Sequence, residues 1–304
     1  MAQQDVYTAS GAAPTLPAVR TIGPADLKDA LARGLDDFWE MPTTHLVFLS
    51  LIYPIAGLFL ARLAFGYDVL PLLFPIMAGF ALIGPFAGIW LYELSRRREY
   101  GLDVHWRHAF DVLRSPSFGS ILLLGLLLMA IFIVWIAVAQ AIYVATFGYK
   151  PAASASVMEF LRHVFTTREG WILIIVGNGI GFLFALLVLA ISVVSFPMLV
   201  DRNVGVAGAI VTSIRAVAAN PVTMAMWGLI VAVALALGSL PFLFGLAIVM
   251  PVLGHATWHL YRKVVEPDLG PRPDYQPRPR AIHYAADFPV SLFVGTSRKD
   301  DTQG

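Results

Sequence analysis

The sequence predicts an all-α, polytopic membrane protein with six transmembrane helices and short interfacial amphipathic helices between them. Three observations predict it. The chain is 58% hydrophobic and only 13% charged, where a soluble domain carries about 25% charged residues. Its apolar residues come in blocks of roughly twenty, the length a helix needs to cross about 30 Å of hydrocarbon. Its Lys and Arg gather in alternate connections, as they do around membrane spans.

The order of elements follows. The opening "MAQQDVYTASGAAPTLPAVR" has no apolar core, so no cleavable signal peptide is expected and residues 1–22 read as a disordered N-terminal segment. Residues 23–263 form the six-span membrane domain. Its spans run from about His45 to Phe65, Val69 to Leu94, Phe118 to Phe147, Trp171 to Val200, Val222 to Gly238 and Pro241 to Tyr261. The last two are divided at Gly238-Ser239-Leu240-Pro241, because Gly and Pro punctuate helices. Residues 264–304, with "EPDLGPRPDYQPRPR", read as a proline-rich, largely disordered tail.

Short amphipathic stretches lead into the spans. Leu27, Leu31, Leu35 and Phe38 fall on one helical face, after Pro24 at a first helical position. Trp106, Phe110 and Leu113 make a second stripe, with Arg107 and Asp111 spaced to pair at i, i+4. Val206, Ile210, Ile214 and Val217 make a third, and Val157 to Phe165 a fourth on the opposite side. The first three end at Pro42, Pro116 and Pro221. The chain therefore reads as three copies of one unit: interfacial helix, breaker proline, pair of spans.

Two quoted stretches carry that repeat. "GPFAGIWLYELSRRR" at 84–98 and "MPVLGHATWHLYRK" at 250–263 share the frame Pro-x-x-Gly-x-x-x-aromatic-x-Leu-x-basic-basic. Pro85 and Pro251 would bend their helices, and Gly88 and Gly254 would admit a close neighbour. Tyr92 and Trp258 would sit at headgroup level, with Arg96, Arg97, Arg262 and Lys263 in the cytoplasm.

Charge sets the expected orientation. Of 21 Lys and Arg, only Arg62, Lys150, Arg162 and Arg168 fall on one side of the six-span arrangement. Both termini are therefore expected in the cytoplasm. A net charge of +1 suggests no nucleic-acid partner, and the absence of Cys removes disulfides, iron–sulfur clusters and thiolate metal sites.

The candidates for chemistry are few. His255 and His259 lie at i, i+4 on one face of the sixth span, a spacing that suits a metal or haem ligand pair or a proton relay. His259 stands three residues before Arg262 and also reads as an interfacial polar residue. Glu93 precedes Arg96 and Arg97 at i+3 and i+4 and reads as an interfacial ion pair, with proton coupling as the alternative. Gly177 and Gly181 form a small-x-x-x-small pair for helix packing, and Asn178 between them would hydrogen-bond across helices. No phosphate loop, Ser-His-Asp arrangement or catalytic carboxylate pair is present, so no enzyme, cofactor or bound metal is expected.

The segments "IGPADLKDALARGLDDFWEMP", "GYDVLPLLFPIMAGFALIGPFAGIWLYELSRRRE" and "MPVLGHATWHLYRKVV" resemble the bacterial predicted integral membrane protein family called domain of unknown function 2189. The resemblance extends over about residues 20–265 and implies a bacterial inner-membrane location. Some members bear a label likening them to cytochrome c oxidase subunit I. A haem–copper core needs more intramembrane histidines than this chain offers, since His105, His108, His163 and His283 lie outside the spans. Three functional expectations follow. The first is a non-enzymatic scaffold or assembly factor that meets the lipid bilayer and a membrane-protein partner or a second copy. The second is a channel or carrier for a neutral or lipidic solute. The third is a haem- or metal-binding protein using His255 and His259.

Overall fold

Helix α1 (Pro24–Glu40) begins where Pro24 supplies a preset φ and Asp26 accepts from the Gly23 amide at 2.9 Å. The computed structural model describes residues 16–41, 72–80, 82, 84–148, 157–240 and 245–267. After α1 come α2 (Leu73–Phe80), α3 (Gly84–Ala87), α4 (Ile89–Glu99), a 3-10 helix (Trp106–Arg114) and α5 (Phe118–Phe147). Then follow α6 (Val157–Thr166), α7 (Arg168–Ser192), α8 (Ser195–Asp201), α9 (Gly205–Ala219), α10 (Pro221–Ser239) and α11 (Leu246–Val264). The described residues are helical apart from connections and one isolated bridge between Val19 and Val265.

Three helical stretches, not six, are long and apolar enough to cross a membrane among the described residues: Phe118–Phe147, Arg168–Asp201 and Pro221–Ser239. They correspond to the third, fourth and fifth expected spans. The first expected span, His45–Phe65, lies outside the described residues. The second is described only from Leu72 and is divided into α2, α3 and α4 around Gly84, Pro85 and Gly88. The sixth, described from Gly245, becomes α11, whose second half carries His255, His259, Arg262 and Lys263 against protein. The physical reason is shared. Both α4 and α11 hold polar groups that hydrocarbon cannot satisfy and that a neighbouring helix can.

The bend between α7 and α8 is dictated locally. Pro197 has no N–H to offer the Val193 carbonyl four residues back, so the helical ladder is interrupted there. Ser192 and Ser195 turn their hydroxyls back to the carbonyls of Val188 and Ile191, each at 2.6 Å. A second local device ends α4. Gly101 takes φ 64°, and the Leu102 amide returns to the Arg97 carbonyl at 2.9 Å, which turns the chain towards the 3-10 helix.

The amphipathic helices form where the sequence places them, and α1, the 3-10 helix and α9 also bury small residues against protein. Of the expected stripes Leu27 is buried and Leu31, Val206, Ile210 and Val217 pack partly on the core, while the members that are exposed face outward. Helix α1 buries Leu27, Ala30, Gly34 and Asp37, while Leu35 is exposed. The 3-10 helix buries Ala109 and Val112 and exposes Trp106, Phe110 and Leu113. Helix α9 buries Ala209, Thr212, Ser213 and Ala216 and exposes Ile214. Lipid solvates large apolar side chains as well as a protein core does, so packing faces go to small residues. Gly34 shows how close the approach is: a Cβ there would stand 2.6 Å from the Ala256 backbone nitrogen of α11. The Arg107–Asp111 pair is also not formed. Asp111 meets Arg97, His108 and Arg114, and the Arg107 guanidinium lies 5.3 Å from the Trp106 ring centre.

Residues 16–22 and 264–267 lie among the described residues. The Arg20 amide donates to the Val264 carbonyl at 2.8 Å, and the Glu266 amide to the Ala18 carbonyl at 3.1 Å. Ile22 is buried, and its amide donates to the Asn220 side chain at 2.8 Å. These few residues flank the membrane domain as part of it. The rest of the proline-rich tail, from residue 268, lies outside the described residues.

Candidate functional site

Helix α1 delivers Asp37 to the end of its small-residue face, where α4 and α11 meet it. Its Oδ2 accepts from the Ser95 hydroxyl at 2.5 Å and from His259 Nε2 at 2.9 Å, and its Oδ1 pairs with Arg98. Ser95 Oγ also lies 2.7 Å from His255 Nδ1. An ionised carboxylate only accepts, so the single Ser95 proton points to Asp37 and His255 donates from Nδ1. Burial alone would raise the Asp37 carboxyl. The His259 hydrogen bond, the electrostatic pull of His255 and the Ser95 hydrogen bond overcome it and hold the group at about 2.

Two further clusters adjoin this one. Glu93 takes two hydrogen bonds from Arg96, both at 2.7 Å, with Arg97 at 3.9 Å, and all three residues are buried. Arg97 donates onward to the Asp103 carbonyl and to Asp111. In the other cluster Asp201 accepts from the Tyr261 hydroxyl at 2.7 Å and from Arg202 at 3.3 Å. Glu99 accepts from the Trp258 indole at 2.9 Å and from Arg262 at 2.8 Å. At the rim, Lys263 bridges Asp26 and Asp29 at 3.3 and 2.9 Å. Those bonds raise the Lys263 pKa and lower that of Asp29; Asp26 is lowered chiefly by the Gly23 amide.

The twice-written motif now has a spatial meaning. Its two copies are α4 and α11, which pack on each other, with Gly254 against the Leu91 side chain. Tyr92 and Trp258 are buried in protein rather than set at lipid headgroups. Arg96 and Arg97 are buried in ion pairs rather than immersed in the cytoplasm. The frame encodes a helix pair with a polar seam.

The site residues named from sequence divide into two groups. His255, His259 and Glu93 join the hub, where the two histidines turn to different partners, Ser95 and Asp37, with His255 Nδ1 also 3.8 Å from the same Asp37 oxygen that His259 meets at 2.9 Å. Among the described residues no three His, Asp or Glu side chains gather as metal ligands would. Gly88 is buried beneath Tyr92 of its own helix, and Gly254 admits Leu91. On α7, Gly181 faces the Trp135 ring, where a Cβ would stand 3.0 Å from it, while Gly177 borders open space. Asn178 is exposed and donates to the Ile174 carbonyl of its own helix at 2.7 Å, so the expected bond across helices is not formed among the described residues.

Sequence reasoning missed Asp37, Ser95, Arg98, Asp201 and Tyr261. A signal for Asp37 was present: it follows Leu27, Ala30 and Gly34 at helical spacing, on the face with the smallest side chains.

Apolar helices that turn large side chains outward, closed at one end by buried ion pairs, define a helical integral membrane protein. Residues 73–201 match the family model described as predicted integral membrane protein (DUF2189). The resemblance read in the sequence is thereby shown over this central stretch, with the flanking segments 22–42 and 250–265 outside the match. No curated protein and no solved structure matches the chain.

Proposed function

We propose that the protein is a non-enzymatic scaffold or accessory factor of the bacterial inner membrane, with both termini in the cytoplasm. One observation carries this reading: the buried carboxylates Asp37 and Glu93 are spent on neighbouring side chains. Both oxygens of Asp37 and both oxygens of Glu93 are engaged by neighbouring side chains. A catalytic or coupling group needs a face turned to substrate, and this arrangement instead ties α1, α4 and α11 into one rigid base. Outward, α5 and α10 present large apolar side chains such as Leu123, Leu126, Ile133, Leu229 and Leu237. Lipid or an apolar partner helix suits such faces equally.

Orientation is supported by the ends of the described chain. The Val19–Val265 bridge sets both ends beside the hub, which also holds Arg96, Arg97, Arg98, Arg202 and Arg262. Basic residues mark the cytoplasmic side. On this reading the doubled frame is the trace of a repeated unit of interfacial helix, proline and membrane-facing helix.

The test is purification of the tagged protein from its native membranes after in-membrane cross-linking, with mass spectrometry of everything recovered. A reproducible stoichiometric partner, or a defined homo-oligomer, is expected. Recovery of monomer and lipid only, at the level of a mock purification, overturns the scaffold reading.

A further inference from the structure

We propose that the 3-10 helix Trp106–Arg114 is a binding site for an anionic phospholipid, whose phosphate is gripped by Arg107 and Arg114 beside an apolar wedge of Trp106, Phe110 and Leu113. This rests on the membrane class alone and is independent of the scaffold reading.

Position comes first. Arg114 stands four residues before Phe118, where the most apolar candidate span among the described residues begins, so the 3-10 helix lies where hydrocarbon gives way to headgroups. Exposure comes second. Trp106 is 41%, Phe110 38% and Leu113 47% exposed, an apolar surface that water would penalise and acyl chains would not. Phe110 is fixed by Trp90 of α4, with ring centres 5.1 Å apart, so the wedge has a rigid backing.

Charge is the third argument. An open-sided cavity of about 380 Å³ is lined by Arg107, His108, Phe110, Asp111, Leu113 and Arg114. Its one carboxylate, Asp111, is shared by buried Arg97 at 3.3 Å, His108 at 3.0 Å and Arg114 at 3.5 Å. Asp103 is engaged by His108 at 3.3 Å. Among the described residues Arg107 has no carboxylate partner, and the Arg114 side chain is 65% exposed. The cavity thus keeps outward cationic character beside apolar rings. A zwitterionic lipid leaves that charge unbalanced, whereas a phosphatidylglycerol headgroup offers acceptor oxygens that a guanidinium fork can take in pairs.

The experiment uses the full-length protein in nanodiscs of equal phosphatidylcholine and phosphatidylglycerol, extracted into mild detergent, with retained lipids counted by native mass spectrometry. Phosphatidylglycerol should be enriched over phosphatidylcholine. At low salt Arg107→Gln or Arg114→Gln should each lower that enrichment about fivefold and the double variant about thirtyfold, while the two lysine replacements keep most of it. Equal retention of the two lipids by wild type, or full enrichment in the double glutamine variant, overturns the proposal. Inorganic phosphate alone should leave the lipid bound, because it cannot use the wedge; displacement by phosphate overturns the lipid assignment. Should the glutamine variants fail to fold, wild type still decides, since enrichment must fall as salt rises to about 0.5 M and a flat response overturns the site.

Discussion

Helices α5 and α11 are both apolar runs in the sequence, and they have opposite surroundings in the fold. Helix α5 buries a narrow stripe of Ile121, Leu124, Gly125, Leu128, Trp135 and Ala139 and turns its remaining leucines outward. Helix α11 buries Leu253, Gly254, His255, Ala256, Trp258, Leu260 and Tyr261, which is most of its circumference. One helix is solvated by lipid and the other by protein. A run of apolar residues does not separate the two cases, because hydrocarbon and a protein core accept the same side chains. Polar residues at helical spacing do separate them, because only protein can pair His255, His259 and Arg262.

That contrast is broken most sharply at Glu93. Glu93→Ala removes the carboxylate that takes two hydrogen bonds from Arg96 inside the hub. Loss of one member of a buried ion pair costs about 3–5 kcal/mol. Glu40, whose side chain is 66% exposed, pairs with Arg98 at 3.7 Å, and Glu40→Ala should cost less than about 1 kcal/mol. Thermal unfolding in detergent compares them. Similar melting temperatures for the two variants would mean that the hub does not stabilise the fold.

Gly34→Leu tests the close approach on which the hub depends. The new side chain would meet backbone, which cannot rotate away, so α1 must lift from α11 at a cost of about 1–3 kcal/mol or more. Hydrogen exchange should then rise across α1 while α5 keeps its protection. Unchanged exchange in α1 would show that the two helices are not held at this point.

Much of this division was legible in the sequence. Helix α5 occurs over the residues its apolar block marks, because nothing between Phe118 and Phe147 interrupts the pattern. The Glu93–Arg96 pair could be read from i, i+3 spacing alone. The seam could not, because it joins Asp37, Ser95 and His255 across |i−j| separations of 58 and 160 residues. The small buried faces of α1, the 3-10 helix and α9 were hidden for a different reason. An apolar stripe marks a face that suits lipid, while the small residues that carry the close packing between helices leave no comparable pattern.

A third test works through acidity. The Asp37 carboxyl is held at about 2 against an ordinary 3.8, so between those values the unfolded chain binds more protons than the folded one. The stabilisation is complete above about pH 4 and is lost as pH falls towards 2, amounting to about 2 kcal/mol. The groups facing Asp37 are His255, His259, Ser95 and Arg98, and Asp37→Asn removes the acid step together with the charge that pairs with Arg98. The melting temperature of wild type should therefore drop towards that of Asp37→Asn as the pH is lowered from about 5 to about 2. Parallel curves for the two proteins would place the depressed carboxyl elsewhere.

The smallest effect is expected on the lipid-facing side, at Asn178. Its amide bonds its own helix, and its surface is exposed, so Asn178→Ala should change stability by no more than about 0.5 kcal/mol. Leu126, 58% exposed on α5, should behave alike on truncation, whereas Leu94→Ala in the hub should cost about 2–5 kcal/mol. The value of the Asn178 measurement lies in its failure. An asparagine in hydrocarbon gains from a partner across a helix interface. A loss of about 1 kcal/mol or more, accompanied by a smaller species on native electrophoresis, would turn this face of α7 from lipid-solvated to partner-solvated. The contrast between α5 and α11 would then hold inside one chain but not inside its assembly.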